Sequence, residues 1–236
     1  MPKPAETPKL EIVDLGRRAY RPVLEFQKRL VRQVREEPRR AVVLTVEHDP
    51  PVITLGLRGG EGDLLASADA LRAANVEVHE TRRGGQVTWH GPGQLVAYLI
   101  CRLDKRRLTL RDYVNRLEEA IIRTLATFDI SAGRRDGFPG VWVGGRKIAA
   151  VGVAVERWVT YHGLALNVDC DLANYESIVP CGLSASDVTS MKQLGRPISV
   201  EDVKPALVEC ICESFGFDRG ETRPADATMP EGANTL

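Results

Sequence analysis

Five cysteines are the first residues of this sequence to consider for chemistry, because a cysteine thiolate is a strong nucleophile near neutral pH. Cys101 lies in an apolar run, and Cys210 and Cys212 lie in a segment with helical apolar periodicity, so we expect all three in the core. Cys170 stands between two aspartates, whose negative charges would raise its pKa. Cys181, in the loop-like segment IVPCGLSAS, has no acidic neighbour and is therefore the candidate nucleophile.

A cysteine nucleophile needs a positive charge or a base beside it, and three side chains could provide one. His90 stands in a glycine-rich run, and His162 precedes Gly163 in YHGLALNV. Lys147 follows a Gly-Gly turn and starts the apolar segment KIAAVGVAV. If its ammonium points inward, desolvation would lower its pKa, and it could exchange a proton while stabilising a thiolate. Spacing leaves the choice among the three open, and each could equally be structural.

The glycine-rich run RRGGQVTWHGPGQ at residues 82–94 leads directly into the apolar run LVAYLI. Its backbone amides could cradle phosphates, or they could form an oxyanion hole and the floor for an acyl chain. The run has neither the GxxxxGK[ST] pattern nor the GxGxxG pattern between a strand and a helix, so a dinucleotide site is not favoured. An elaborate β-turn is the structural alternative, although Thr88, His90 and Gln94 add polar groups that a turn does not need.

The composition excludes several classes of protein. Lysine plus arginine and aspartate plus glutamate both number 32 among the 236 residues, so no basic field indicates nucleic-acid binding. There is no CxxC pair, which argues against a zinc site, and the odd, irregularly spaced cysteines argue against a disulfide framework. No signal-peptide core and no membrane-length apolar run is present. We therefore expect a cytoplasmic protein with no metal.

The apolar periodicity predicts one α+β domain over residues 10–220, with flexible tails at 1–9 and 221–236. Strands come in runs that helices interrupt, which favours a mixed, mostly antiparallel sheet flanked by helices. Thr109 with Asp112, and Ser199 with Asp202, have the spacing of capping boxes that open helices. The predicted helices cover 19–37, 64–74, 109–128 and 199–216, and the predicted strands cover 41–48, 52–56, 76–82, 94–103 and a meander at 141–168.

Three segments, in order, resemble the lipoyl(octanoyl) transferase family. RGGQVTWHGPGQ at 83–94 closely resembles the family's signature. GRKIAAVGV around Lys147, leading to HGLALNV from His162, and VPCGL around Cys181 with DVTS after it, also match. The resemblance extends over residues 10–217. Trp89 stands where the family usually has a tyrosine, and both tails are extended, but neither departure touches the proposed chemistry.

The resemblance implies the fold of the biotin- and lipoate-protein ligases and a ping-pong acyl transfer without ATP, metal or other cofactor. Cys181 would attack the thioester of octanoyl-acyl carrier protein, and Lys147 would lower the thiol pKa and handle protons. The arginines Arg82 and Arg83 could also orient an acidic carrier protein. The substrate-binding residues carried over from the family are Arg83, Gly84, Gly85, Gln86, Val87, Thr88, Trp89, His90, Ala150, Val151, Gly152, Gly163, Leu164 and Ala165.

The acceptors implied by the resemblance are lysines on lipoyl domains of 2-oxoacid dehydrogenase E2 subunits and on the glycine cleavage H protein. Three alternatives remain open at this stage. An ATP-dependent lipoate or biotin ligase would need no cysteine nucleophile. A protein that only binds acylated carriers would form no covalent adduct, and a cysteine thioesterase would use water instead of lysine as the acceptor.

Overall fold

The computed structural model describes residues 7–179 and 184–224, which form eleven strands and four α-helices. The α-helices are α1 (Tyr20–Glu36), α2 (Ala68–Ala73), α3 (Leu110–Ala126) and α4 (Val200–Phe215). The strands are β1 (Lys9–Arg18), β2 (Ala41–His48), β3 (Val52–Leu55), β4 (Glu77–Glu80), β5 (Val87–His90), β6 (Gln94–Cys101), β7 (Gly133–Arg135), β8 (Phe138–Val143), β9 (Arg146–Glu156), β10 (Val159–Asn167) and β11 (Asp218–Pro224).

Eight of the strands form one large sheet in the order β11-β1-β2-β6-β10-β9-β8-β7. β1 runs parallel to β2 and β11, and the five other neighbouring pairs are antiparallel. The predicted α+β class, with a mixed and mostly antiparallel sheet, is therefore confirmed. The strands β4, β3 and β5 form a second, small sheet in that order.

The central strand β6 shows why the middle of the large sheet is an unbroken apolar run in the sequence. Leu95, Ala97 and Leu99 point to the face that α3 and α4 cover, whereas Val96 and Tyr98 point to the face that α1 covers. Successive side chains of a strand point to opposite faces, and here both faces are buried under helices. The large sheet is thus the middle layer of three.

Two helices begin at the capping boxes expected from the sequence. The Thr109 hydroxyl accepts a hydrogen bond from the Asp112 amide at 3.1 Å, and the Asp112 carboxylate accepts one from the Thr109 amide at 2.9 Å. Ser199 and Asp202 form the same reciprocal pair before α4. α4 then ends at Gly216, whose φ of 67° suits a glycine at a helix C-terminus.

The helix expected over residues 64–74 is shorter, because α2 covers only Ala68–Ala73. Ser67 caps it, with its side chain accepting a hydrogen bond from the Ala70 amide at 3.2 Å. Leu64 instead forms an isolated β-bridge with Ile178. A partner far away in the sequence therefore holds Leu64 extended, which local periodicity cannot reveal.

The strands β1 and β11, of which β11 is an edge of the large sheet, were not expected from the sequence. β11 continues to Pro224, so residues 221–224, which composition assigned to the flexible tail, pair with β1 in the structure. Its segment DRGETRP is charged and has no apolar alternation. Charged residues are common on an edge strand because they discourage pairing with another chain, and they also remove the pattern by which a strand is predicted. Among residues 7–179 and 184–224, no helix is both long and apolar enough for a membrane span.

Candidate active site

A cavity lies between the α1 face of the large sheet and the small sheet. Its walls come from β6, β9 and β10 on one side, and from β5 with the preceding glycine-rich segment on the other. The empty space, including the part open to solvent, is about 490 Å³. Small residues help to make this space: in the pairing of β9 with β10, Gly152 stands opposite Gly163 and Ala150 stands opposite Ala165.

The cavity gathers most of the residues that the sequence predicts to contact substrate. Lys147 lines it together with ten of the predicted substrate-binding residues, which are Arg83, Gly84, Gly85, Thr88, His90, Ala150, Val151, Gly152, Gly163 and Leu164. These residues come from three stretches that are far apart in the chain, and the fold brings them around one space. The four others lie elsewhere: Gln86 lines an adjacent outer groove, Val87 and Trp89 pack in the core, and Ala165 packs under α1.

The alternation of β5 explains why two residues of the glycine-rich run point away from the cavity. Thr88 and His90 face the cavity, whereas Val87 and Trp89 pack in a cluster with Tyr175 on the other side of the small sheet. In a strand, neighbouring residues face opposite directions. In the sequence, VTWH belongs to the glycine-rich run between two predicted strands, so this division is not predicted.

Arg83 is a buried residue that fixes the glycine-rich segment. Its guanidinium donates to the Thr54 hydroxyl at 3.0 Å, to the Thr54 carbonyl at 2.5 Å, and to the carbonyls of Gly84 and Gln86 at 3.1 and 2.9 Å. Only 6% of Arg83 is exposed, so the hypothesis that it orients a carrier protein from the surface is wrong. Arg82, which is exposed, keeps that possibility.

Gly85 of this segment, and Gly56 which packs against it, stand at positions that need glycine. Gly85 has a φ of 92°, and a Cβ at Gly56 would lie 2.5 Å from the Gly85 carbonyl oxygen. The Gly84 amide donates to the Val153 carbonyl at 2.9 Å. That amide is therefore occupied by β9, and it is not one of the free donors that the sequence suggested for a phosphate or an oxyanion.

His90 belongs to a buried hydrogen-bond network. Its Nδ1 lies 2.7 Å from the Gln94 side-chain oxygen, and the Gln94 amide nitrogen donates to the side-chain oxygen of Asn167 at 2.9 Å. Because Gln94 must accept at its oxygen, the network assigns the proton of His90 to Nδ1 and leaves Nε2 as an acceptor. Burial lowers the pKa of His90 to about 3, with a further contribution from His48.

His162 reaches the cavity through an unusual backbone conformation. Its φ is 56°, in the left-handed region, although it lies within β10. As a result its ring lies beside the ring of its neighbour Tyr161, at 4.8 Å between centroids, whereas in a regular strand the two would face opposite sides. The His162 amide donates to Gln27 at 2.8 Å. Burial, then the nearby Arg83, lower the pKa of His162 to about 3.

Lys147 is the one of the three candidate partners whose charge suits a thiolate, because both imidazoles are neutral near pH 7. Its Nζ lies 5.6 Å from the ring centroid of Trp142, and the residue lines both the cavity and the adjacent outer groove. Its carbonyl accepts from the Thr189 amide at 2.9 Å. Cys181 lies outside the described residues, so its pairing with Lys147 stays a prediction.

The four described cysteines are buried, as predicted for Cys101, Cys210 and Cys212, and the burial of Cys170 is a further finding. Burial raises the pKa of Cys101 to about 11 and that of Cys212 to about 11, and it also raises the pKa of Cys210. The pKa of Cys170 rises to about 12, first through burial and then through Asp169. None of these four thiols is therefore ionised near neutral pH, and the role of Cys181 stays a prediction.

A family model described as the lipoyl protein ligase A/B catalytic domain matches residues 19–212. The chain belongs to this family. Among its relatives, an octanoyltransferase of Solibacter usitatus is 46% identical over 204 residues, which are 86% of this chain and 92% of that protein. An octanoyltransferase of Maridesulfovibrio salexigens is 41% identical over 201 residues, covering 85% of this chain and 94% of that protein. The resemblance that the motifs indicated is confirmed.

The fold of the lipoyl protein ligase A/B family is also found in the solved structures that match this chain. A crystal structure of lipoate-protein ligase A bound with ATP superimposes with a TM-score of 0.77, covering 98% of this chain and 97% of that chain. The sequences are 15% identical, so this likeness concerns the fold alone. It confirms the expected ligase-like architecture.

Sequence analysis missed three side chains of the cavity, Tyr20, Val96 and Tyr98. Tyr20 is the first residue of α1, and Val96 and Tyr98 are two residues apart on β6. The alternation of β6, together with its position directly after the glycine-rich run, could have indicated that one of its faces lines the site. No local signal places Tyr20 there.

Proposed function

We propose that this chain is an octanoyltransferase. It takes an octanoyl group from octanoyl-acyl carrier protein and transfers it to a lysine of a lipoyl domain, as part of lipoate biosynthesis. The observation that carries the proposal is the convergence of Lys147 and ten expected substrate-binding residues on one cavity. The two octanoyltransferases described above support it, because the match with this chain covers more than nine-tenths of each relative's length.

In the first half of the reaction the Cys181 thiolate attacks the carbonyl carbon of the carrier thioester. The carbon–sulfur bond to the carrier breaks, the carrier thiol leaves with a proton, and Cys181 holds the octanoyl group as a thioester. The Lys147 ammonium at the cavity favours the ionised thiol and can give that proton. A buried neutral histidine could not supply the charge, which is why the low pKa values of His90 and His162 support Lys147 in this role.

In the second half the ε-amino group of the acceptor lysine attacks the acyl-cysteine. A carbon–nitrogen bond forms, the bond to the Cys181 sulfur breaks, and the proton lost by the amine passes through Lys147. The thioester carries its own activation, so this reaction needs no ATP. The glycine and alanine pairs of β9 and β10, with Val96 and Leu164, give the acyl chain an apolar slot.

The proposal extends to partners and organisation. The acceptors are lipoyl domains of 2-oxoacid dehydrogenase E2 subunits and the glycine cleavage H protein, and the donor is octanoyl-acyl carrier protein, all met in the cytoplasm. Residues 10–220 act as a single catalytic domain. The remaining predicted site residues, Gln86, Val87, Trp89 and Ala165, support the walls from behind, because they pack beside cavity-lining neighbours.

Intact-protein mass spectrometry after mixing with octanoyl-acyl carrier protein tests the proposal. We expect one octanoyl adduct, located on Cys181 by peptide mapping, which disappears when a lipoyl domain is added. Cys181→Ser should abolish transfer, and Lys147→Arg should reduce it severely, because arginine keeps the charge but does not exchange a proton near neutral pH. Cys101→Ala, a change in the core, is the control and should transfer normally.

The same experiment separates the alternatives. Modification of the lipoyl domain with free octanoate, Mg²⁺ and ATP in the absence of carrier would indicate an ATP-dependent ligase and refute the proposal. Release of free octanoate in place of octanoyl-lysine would indicate a thioesterase. Binding of the acylated carrier with no adduct on any cysteine would indicate a protein that only binds carriers.

A further inference from the structure

The cavity has an open lip and a closed end, which the exposure of its lining distinguishes. Gly84, Gly85, Lys147 and Val151 at the lip are partly exposed. At the other end Tyr20 is only 1% exposed and Tyr98 only 3%. An acyl chain whose carbonyl is held beside Lys147 and that follows this cavity inward extends toward these two tyrosines.

The closed end is polar, in contrast to the apolar slot that leads to it. The Tyr98 hydroxyl lies 2.8 Å from His48 Nε2, and His48 Nδ1 lies 3.1 Å from the Arg18 carbonyl. A carbonyl can only accept, so Nδ1 carries the proton and Tyr98 donates to Nε2. His48 is fully buried, and burial lowers its pKa to about 4, so this neutral form holds at neutral pH.

The Tyr20 hydroxyl is the second polar group of the closed end. The Tyr20 ring lies between the rings of His48 and His79, at 5.2 and 5.3 Å between centroids. Its hydroxyl is buried and has no hydrogen-bond partner among residues 7–179 and 184–224. A buried hydroxyl without a partner is unfavourable, and apolar atoms packed against it would leave it without one.

We propose that Tyr20, His48 and Tyr98 form a polar end wall that sets the length of the acyl group this protein transfers. The inference rests on the proposed function. A chain that stops short of the wall keeps its apolar carbons away from these polar groups. A longer chain would push apolar methylenes against the Tyr20 and Tyr98 hydroxyls, so it would gain nothing from the added carbon atoms.

The size of the expected effect follows from the transfer of methylenes. Each methylene that moves from water to an apolar surface changes an equilibrium constant about fourfold, and two change it about fifteenfold. The polar wall withholds this gain from chains longer than the slot. Removing a hydroxyl should restore it, so the ratio of kcat/KM for decanoyl over octanoyl carrier should rise about fifteenfold.

The test compares acyl carriers of six, eight, ten and twelve carbons with wild-type protein and with Tyr20→Phe, Tyr98→Phe and Tyr20→Ala. We expect the two phenylalanine variants to raise the decanoyl-to-octanoyl ratio and Tyr20→Ala, which also enlarges the cavity, to raise it further. Tyr113→Phe is the matched control. Its hydroxyl is also buried, but it donates to the Leu99 carbonyl at 2.6 Å in the core on the α3 side of the sheet.

The ratio, rather than the absolute rate, decides the outcome, because general damage to the fold lowers all chain lengths together. If Tyr20→Ala does not fold, the two phenylalanine variants still decide. An unchanged ratio in both, or an equal rise in Tyr113→Phe, would overturn the end wall while leaving octanoyl transfer intact. Wild-type protein that transfers no acyl group of any length would instead show that the proposed function itself has failed.

Discussion

Removing the hydroxyl of each end-wall tyrosine should change the free energy of unfolding in opposite directions. Tyr98→Phe removes the donor to His48 Nε2, which lies in a side chain with 0% exposure. Leaving a buried acceptor unpaired costs about 1–3 kcal/mol. Tyr20→Phe removes a hydroxyl that bonds to nothing in the described part of the chain, so it should cost nothing and could add up to about 1 kcal/mol.

Urea unfolding followed by circular dichroism at pH 7.5 and 25 °C measures both changes in the free energy of unfolding, and thermal unfolding of the same samples gives Tm. Each kcal/mol corresponds to a shift of roughly 2–4 °C in Tm for a chain of this size, so Tyr98→Phe should lower Tm by about 2–12 °C. Tyr113→Phe, which loses one buried hydrogen bond, provides the reference at about 1 kcal/mol. The slope m must stay the same in all variants for the comparison to hold.

A neutral Tyr98→Phe would show that the hydrogen bond to His48 contributes nothing, and the geometry of the wall would then be wrong. A Tyr20→Phe variant destabilised by more than about 1 kcal/mol at constant m would show that the Tyr20 hydroxyl is well bonded, for example to a fixed water. In that case the argument from an unpartnered hydroxyl would fall, whatever the chain-length profile.

Three further predictions concern the fold around the cavity. His48, His90 and His162 are buried and neutral in the folded protein. The free energy of unfolding should therefore fall as the pH drops from about 6.5 to about 4, by roughly 1.4 kcal/mol per pH unit for each of them, because the unfolded chain binds protons that the folded one excludes. A urea midpoint that is flat between pH 7 and 5 would contradict this. Gly163→Ala should lower the free energy of unfolding by about 1–3 kcal/mol, because its Cβ would lie 2.2 Å from the Ala97 carbonyl oxygen. Gly62→Ala is the control in the same denaturation assay, and it should be neutral or stabilising because the space around Gly62 is open. Arg83→Lys should raise KM for the octanoyl carrier at least about tenfold, because lysine lacks the fork of donors that holds three carbonyls; a normal KM would show that this anchoring does not shape the site.

Much of the fold followed from short-range patterns. The reciprocal pairs of Thr109 with Asp112 and of Ser199 with Asp202 fixed two helix starts because each box is closed by residues three apart. The apolar run of β6 indicated a strand. β11 was missed for the opposite reason, since its partner β1 lies some two hundred residues earlier in the chain and its own segment has no apolar pattern.

The candidate site likewise has features that the sequence predicts and features that depend on the fold. Residue chemistry alone selected Cys181 as the candidate nucleophile, which stays a prediction, and the motifs indicated the family and most of the lining. Residue spacing left the choice among Lys147, His90 and His162 open, and only the resemblance favoured Lys147. The structure adds that both imidazoles are buried and neutral, because the charge of an imidazole depends on burial, and burial is a property of the packed molecule.

The sequence by itself determined which segments become strands and helices and which residue types are available for acyl transfer, because propensity, capping and alternation act over a few residues. Only the tertiary structure decided which side chains from distant elements face each other. It brought the hydroxyl of Tyr98 to His48, fifty positions earlier, and placed Tyr20 of α1 beside them. It also rotated His162 into the cavity through a left-handed backbone that no alternation rule predicts. Such contacts depend on the close packing of distant elements, and therefore the depth and polarity of the cavity are properties of the fold as a whole.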